Sequence, residues 1–298
     1  MAETFFSEEF LQRLERLALA ARHALPGQMQ GERRSPKRGQ SVEFSDFRPY
    51  VAGDDFRRID WNAYARLERF FIKLFVEEED LTVHFLVDTS RSMDWGQPNK
   101  LEYARKVAGA LGYVALSGLD RVTVTGLGGA KNGAGVVFPP QRGKRQALAL
   151  FSFLQALTPP GNGAAPNPGQ QLRAYAASHA RPGVVVVLSD LMHDGWMDGL
   201  RSLASGRHEI SVIHILAPEE RNPQLNGDLK LIDSEDNLEV EITADYDLLA
   251  RYRQNLEEWQ AGLRAFCSSR NISYVPVETT LDLDDLLFAW LQRQGVLR

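Results

Sequence analysis

The sequence predicts an α/β fold in which a parallel sheet is flanked by helices. From residue 81 onwards, short β-branched runs alternate with longer stretches of helical spacing. One run, Val184–Leu188, is apolar throughout, which is typical of a strand buried on both faces. Strands that alternate with helices imply right-handed crossover connections, and therefore a parallel sheet with helices on both faces.

The chain divides, on its sequence, into an N-terminal region of residues 1–79 and a main domain of residues 80–298. Apolar side chains recur at helical spacing over residues 3–24 and predict an amphipathic helix. Packing of this helix onto its own domain is favoured over a role in docking a partner. The basic segment Gly31–Gly39 lacks apolar anchors and is expected to be a loop.

The elements of the main domain follow in order. Strands are expected at Thr82–Val87, Arg121–Thr125, Gly135–Phe138, Val184–Leu188, Ile210–Leu216 and Ser273–Val277. Helices are expected at Leu101–Leu119, Lys144–Leu157, Leu172–His179, Gly199–Ser205, Tyr246–Ser269 and Asp284–Arg293. The strand at Gly135–Phe138 is expected to end at Pro139-Pro140. Residues 229–242 alternate around a polar turn and predict a β-hairpin outside the main sheet.

The composition is that of a soluble globular protein, with 44% hydrophobic and 24% charged residues among 298. The net charge of −5 gives no general attraction to nucleic acid or anionic lipid. A single cysteine, Cys267, cannot form an internal disulfide. No run approaches the roughly 20 apolar residues of a membrane span, and no signal-peptide pattern opens the chain. We therefore expect a cytoplasmic protein without a membrane span and without a nucleic-acid partner.

A cluster of oxygen-bearing side chains is expected at one edge of the sheet. Asp88 follows the first core strand, and Ser90 and Ser92 follow at alternate positions. The strand Val184–Leu188 delivers Ser189 and Asp190 to the same edge, where ligands of parallel sheets bind. Hard oxygen donors favour magnesium, manganese or calcium over zinc or copper. The alternative is that Asp88 caps the following turn and the serines are ordinary loop hydroxyls.

Residues 87–93, Val-Asp-Thr-Ser-Arg-Ser-Met, resemble the metal-ion-dependent adhesion site motif of von Willebrand factor A domains. The resemblance covers roughly residues 80–298 and implies a Rossmann-like sheet of the von Willebrand A type. It implies Asp88, Ser90 and Ser92 as first-loop ligands of Mg²⁺ or Mn²⁺, with Asp190 as the acidic residue of a later loop. It also implies that a partner's Asp or Glu bridges to the metal.

Residues 48–61, Arg-Pro-Tyr-Val-Ala-Gly-Asp-Asp-Phe-Arg-Arg-Ile-Asp-Trp, are more distinctive. They look like the block found in a bacterial and archaeal family of unknown function, in which Gly-Asp-Asp…Ile-Asp-Trp is joined to a von Willebrand A-like domain. Members of that family are often encoded beside AAA+ ATPases of the MoxR type. The resemblance therefore implies such an ATPase as a partner, and it implies no reaction.

The same block has a physical interpretation of its own. Opposite charges lie unusually close together beside aromatic residues; the residues concerned are Arg48, Asp54, Asp55, Arg57, Arg58, Asp60 and Trp61. Arginines so near would satisfy the carboxylates directly, which favours a salt-bridge network that clamps the N-terminal region to the main domain. A partner-binding or catalytic patch is the alternative, with Asp54 and Asp55 as an acid pair for a metal.

One departure from the von Willebrand A pattern concerns a threonine ligand. Such domains normally add a threonine before the helix that precedes the strand of Asp190. Residues 160–172 contain no threonine, and Thr158 lies too early. Gln170 or Asn167 is the available oxygen donor. We therefore expect a site that binds metal weakly, or only when a partner completes it.

Three functions follow from these observations. The favoured hypothesis is a non-enzymatic protein-interaction module with a metal bridged by a partner's acidic side chain. A degenerate, metal-free scaffold is the second. The third is a metal-dependent hydrolase or phosphotransferase, since Asp88 resembles the aspartyl nucleophile of haloacid-dehalogenase-type enzymes. Those enzymes need a second Asp two residues later, where this chain has Ser90, and no phosphate-binding loop or Gly-x-Ser-x-Gly elbow occurs.

Overall fold

The structure is a computed structural model. It describes residues 5–24, 43–51, 54, 56, 59–76, 82–128, 135–160, 167–178, 183–193, 195–206, 208–234 and 238–287. The chain forms two units, of which the larger combines Met1–Leu25 with Leu81–Arg298 and the smaller is Pro26–Asp80. The sequence-based division, with its boundary after residue 79, had grouped the first helix with the N-terminal region. In the structure this helix is part of the larger unit.

Helices and strands alternate along much of the chain. The helices are α1 (Glu8–Ala24), α2 (Trp61–Leu67), α3 (Lys100–Ser117), α4 (Ala147–Ala156), α5 (Pro168–Ala177), α6 (Trp196–Ala204), α7 (Pro218–Arg221) and α8 (Tyr246–Ser268). The strands are β1 (Glu43–Pro49), β2 (Phe71–Val76), β3 (Thr82–Asp88), β4 (Arg121–Leu127), β5 (Val136–Arg142), β6 (Val184–Ser189), β7 (Glu209–Leu216), β8 (Gly227–Ile232), β9 (Glu239–Ala244) and β10 (Ser273–Glu278).

The central sheet has six strands in the order β10-β7-β6-β3-β4-β5, and all neighbours except β4 and β5 are parallel. Successive residues of β6 point to opposite faces: Val186 belongs to a core cluster with α3 and α4, and Val185 to a second cluster with α5, α6 and α8. Helices therefore cover both faces, and the predicted α/β, Rossmann-like class is confirmed.

The edge strand β5 differs from the prediction in two ways. It runs antiparallel to β4, and it continues through Pro139 and Pro140 to Arg142 instead of ending at them. Proline has no backbone N–H, which an edge strand tolerates because one side of it needs no partner. The pairing shifts register between Val122 and Val124, opposite the prolines. Two prolines after a β-branched run therefore predict the end of a strand that has neighbours on both sides, but not the end of an edge strand such as β5.

The first helix packs within its own chain, as the sequence favoured, but its contacts are with the larger unit. Phe10 and Leu14 of α1 are buried in the same cluster as α3 and α4. The hairpin β8–β9 forms a separate two-stranded sheet and is confirmed. In the smaller unit, β1 and β2 pair as antiparallel strands that the sequence analysis did not propose. Among the described helices, none combines the length and the apolar character needed to cross a membrane.

Candidate cation site at the carboxyl edge of the sheet

The two predicted loops meet because β3 and β6 are neighbouring parallel strands. Asp88 ends β3, and Ser189 ends β6, so that both lie at the carboxyl edge of the sheet. The Ser189 hydroxyl donates to Asp88 Oδ2 at 2.6 Å and joins the loops directly. Asp88 and Asp190 are both buried, with 1% and 0% of their surface exposed.

Asp88 is held by hydrogen bonds to both carboxylate oxygens. Oδ1 accepts from the backbone N–H of Ser90 at 2.9 Å, and Oδ2 accepts from Ser189. Burial, and secondly the negative charge of Asp190, raise the pKa of the Asp88 carboxyl, although both hydrogen bonds act in the opposite direction. No described Lys or Arg forms a salt bridge with Asp88. Within the described part of the chain, the cationic influence on this carboxylate comes from the charge of His193, which acts to lower its pKa but is outweighed by burial and Asp190.

The two serines continue the cluster towards Asp190. Ser90 Oγ and Ser92 Oγ lie 3.0 Å apart within hydrogen-bonding distance. A hydrogen bond from Ser92 is one of the contacts that lower the pKa of Asp190. The structure thus brings Asp88, Ser90, Ser92 and Asp190 together at one edge. Their role as metal ligands stays a prediction.

A buried lysine that the sequence analysis missed contacts Asp190. Lys100 Nζ donates to Asp190 Oδ2 at 2.8 Å and also to Glu220 Oε1. Lys100 is the first residue of α3, directly after the N-cap Asn99, and its side chain is fully buried. Its only sequence signal is a position between a capping residue and the apolar stripe of the helix, and that position is equally typical of an exposed lysine.

The charges of this group are mutually dependent. Burial acts to raise the pKa of Asp190, but the Lys100 ammonium outweighs it and holds that pKa below its usual range. Burial acts to lower the pKa of Lys100, but the charges of Asp190 and then Glu220 raise it overall. Burial raises the pKa of Glu220, and the charge of Lys100 acts to lower it but is the smaller effect. Lys100 is therefore a fixed cation between two acids.

The residues proposed to replace the missing threonine lie differently from the expectation. Asn167 Oδ1 caps α5 by accepting from the backbone N–H groups of residues 169 and 170, at 2.8 and 3.3 Å. Gln170 is exposed. It is Gln171 that is buried, and its Oε1 accepts from the N–H of Gly128. A Cβ on Gly128 would lie 3.3 Å from Ser90 N, so Gln171 contacts the segment that packs on the Ser90 loop.

The charged block of residues 48–61 is described in part. Arg48 Nη2 and Asp54 Oδ1 form a salt bridge of 2.8 Å within the smaller unit. Asp60 caps α2 by accepting from the backbone N–H groups of residues 62 and 63, at 2.9 and 3.1 Å. Trp61 is 60% exposed and makes an edge contact with the Phe70 ring, with centroids 6.3 Å apart. Asp55, Arg57 and Arg58 lie outside the described residues, and the clamp to the main domain stays a prediction.

The charge and the oxygen donors of this cluster fit a hard divalent cation. Asp88, Asp190 and Glu220 carry three negative charges when ionised, against the single positive charge of Lys100. The remaining excess of two matches the charge of Mg²⁺ or Mn²⁺, which prefer carboxylate and hydroxyl oxygens. Within the described part of the chain, no three His, Cys, Asp or Glu residues group closely enough to hold a metal by themselves. The hydroxyls of Ser90 and Ser92 are therefore essential to the proposed set.

Comparison with solved structures gives several distant likenesses. BatB from Bacteroides thetaiotaomicron is 15% identical, with a TM-score of 0.40, over 72% of this chain and 98% of that one. An aerotolerance-related membrane protein from Bacteroides fragilis is 16% identical, with a TM-score of 0.42 and the same coverage of both chains. A von Willebrand factor type A protein from Catenulispora acidiphila is 17% identical, with a TM-score of 0.35, over 49% of this chain and 35% of that one.

Sequence comparison gives a broader match. Uncharacterized proteins of Mycobacterium bovis and Mycobacterium tuberculosis are 27% identical over 236 residues, which cover 78% of this chain and 73% of theirs. The model of the family described as protein of unknown function DUF58 matches residues 46–261. That match takes in both the charged block around Asp54 and the sheet edge with Asp88 and Asp190. The chain therefore belongs to the DUF58 family.

Proposed function

We propose that this chain is a non-enzymatic protein-interaction module with a divalent-cation site. Asp88, Ser90, Ser92 and Asp190 would hold Mg²⁺ or Mn²⁺, and an Asp or Glu of a partner would complete the coordination. The observation that carries the proposal is the buried carboxylate of Asp88, which forms no salt bridge with a described Lys or Arg and has a raised pKa although the charge of His193 acts to lower it. A bound cation would stabilise its ionised form.

The hydrogen bonds of Asp88 support binding over catalysis as a nucleophile. Both of its oxygens accept hydrogen bonds, from Ser90 N and from Ser189 Oγ, which hold the side chain in place. The residue two positions later is a serine, whose hydroxyl is far too weak an acid to replace a carboxylic acid. A bound cation in such a site would supply a positive charge that attracts a partner carboxylate.

An AAA+ ATPase of the MoxR type is the partner that we propose, on the sequence resemblance described above. Membership of the DUF58 family supports this proposal, since the matched region includes the Gly-Asp-Asp…Ile-Asp-Trp block. The proposed location is the cytoplasm, as the sequence analysis expects.

Cation binding is tested by thermal unfolding in EDTA and in millimolar Mg²⁺ or Mn²⁺. Binding to the native state must raise the melting temperature of the wild type. We expect the Asp88→Asn variant to show no such rise. Asp247→Asn is the matched control, because Asp247 is exposed in the first turn of α8 and the charge change is the same. A wild type whose melting temperature does not respond would leave the metal-free scaffold as the better account.

The partner is tested separately by affinity capture from native lysate, in Mg²⁺ and in EDTA, with mass spectrometric identification. We expect an AAA+ ATPase to be retained in Mg²⁺ by the wild type, and to be lost in EDTA or with Asp88→Asn. Failure to recover an ATPase under either condition would refute this partner. Turnover in a phosphatase and esterase panel that Asp88→Asn abolishes would refute the non-enzymatic role.

A further inference from the structure

Glu220 contacts Lys100, which also contacts the candidate ligand Asp190. It belongs to the short helix α7, and its side chain is 12% exposed. Oε1 accepts from Lys100 Nζ, and Oε2 accepts from the backbone N–H of Ala217 at 2.8 Å. The Tyr252 hydroxyl donates to the backbone carbonyl of Glu220 at 2.6 Å. Glu220 is thus held in a fixed position against Lys100.

The positive charge of Lys100 acts against cation binding at Asp190. An ammonium group bound to Asp190 alone would neutralise that carboxylate and repel an approaching cation. In the structure the same ammonium also contacts Glu220. Glu220 offsets the positive charge of Lys100, so that Asp190 keeps its negative charge for a cation on its other side.

We propose that Glu220 is a positioning residue of the cation site, which acts through Lys100 and sets the affinity of Asp190 for a divalent cation. The inference rests on the proposed function, since it concerns the same site. It differs from the predicted ligand set because Glu220 does not contact the cation. It also extends the site to α7, a segment 30 residues beyond Asp190 in the chain.

The charge change gives the expected size of the effect. Replacing Glu220 by Gln removes one of three negative charges and leaves a net charge of about −1 in the group instead of −2. The amide oxygen can still accept from Lys100. Because Glu220 contacts Lys100 directly, loss of its charge at the effective dielectric of a partly buried site lowers the affinity for a divalent cation by at least about tenfold.

The neighbouring residue provides a matched control. Glu219 is in the same helix, and its Oε2 accepts a long hydrogen bond of 3.5 Å from Gln97 N instead of contacting Lys100. Glu219→Gln removes the same charge from the adjacent position. A general effect of net charge would lower cation affinity in both variants, whereas an effect transmitted by Lys100 would appear only in Glu220→Gln.

The experiment is isothermal titration of the full chain with Mn²⁺, on the wild type, E220Q, E219Q and E220D. We expect E220Q to bind at least tenfold more weakly, and E219Q and E220D to remain within about threefold of the wild type. Circular dichroism in EDTA verifies folding. We expect E220Q to fold because water reaches this partly exposed side chain. If E220Q does not fold, Glu220→Ser replaces it in the titration, since this variant removes the same charge and leaves space that water can fill.

Four results would overturn the inference. Equal losses in E220Q and E219Q would show a general charge effect, and equal losses in E220Q and E220D would show that packing is responsible. An unchanged affinity in E220Q would show that Glu220 has no influence. A wild type that binds no Mn²⁺ would refute the proposed function together with this inference, whereas the other results leave the cation site itself standing.

Discussion

Replacement of Lys100 by methionine should destabilise the protein strongly. Methionine fills a similar volume but cannot donate to Asp190 or Glu220. Asp190 is fully buried and the Glu220 side chain is 12% exposed, so water cannot substitute for the lost ammonium at Asp190. Breaking a buried ion pair by removing one partner typically costs about 3–5 kcal/mol, because a buried charge remains uncompensated. Since two acids share Lys100, we expect a loss at the upper end of that range.

A matched control is available in the same helix. Lys106 forms an exposed salt bridge with Glu102 one turn earlier, with side chains 40% and 57% exposed. Exposed pairs of this spacing contribute about 0.3–0.5 kcal/mol, so Lys106→Met should change stability little. Urea unfolding at pH 7 in EDTA, followed by circular dichroism, measures both free energies. A Lys100→Met loss within about 1 kcal/mol of the Lys106→Met loss would refute the reasoning.

The pH dependence identifies the cause of the loss. In the wild type, Lys100 holds the pKa of Asp190 below its unfolded value of about 3.9. This stabilisation is present above the unfolded pKa and is lost as the pH falls through the folded pKa. In the variant, burial without Lys100 raises the pKa values of Asp190 and Glu220. Acid then protonates these carboxylates and removes the cost of burying their unpaired charges. The gap between wild type and Lys100→Met should therefore be largest at neutral pH and narrow towards pH 4.

Three further predictions concern single side chains. Asp88→Asn should be at least as stable as the wild type in EDTA at pH 7. Burial and Asp190 raise the pKa of Asp88, which means that folding disfavours its ionised form, and asparagine carries no charge. A loss above about 1 kcal/mol in the free energy of chemical unfolding would contradict this. His214 should stay neutral at pH 5, as measured by ¹⁵N NMR of the imidazole, since burial lowers its pKa to about 4. The contribution of neutral His214 to the free energy of unfolding is therefore present above pH 6.5 and is lost as the pH falls towards 4. The Cys267 thiol should resist a disulfide reagent at pH 8 until the protein unfolds, since burial raises its pKa to about 11.

The fold was largely predictable because its main signals are local. The β-branched run of β6 and the helical spacing of α3 and α8 each lie within one stretch of sequence. The antiparallel edge strand β5 was not predictable in the same way. Its tolerance of Pro139 and Pro140 depends on having a neighbour on one side only, and this is a property of the whole sheet. The β1–β2 pair was missed for a different reason, since neither strand shows a strong alternation of its own.

The candidate site was predictable only where sequence order places residues at strand ends. Asp88 and Asp190 follow core strands, and the neighbouring positions of β3 and β6 bring them together. Lys100 contacts acids that are 90 and 120 residues away in sequence, so no local pattern could indicate its burial. The alternation of hydroxyls and acids predicted a metal site, and the absence of the usual threonine ligand predicted a weak affinity for the metal. The structure adds a buried ammonium shared between Asp190 and Glu220, which we propose as a second determinant of the affinity of this edge for a cation.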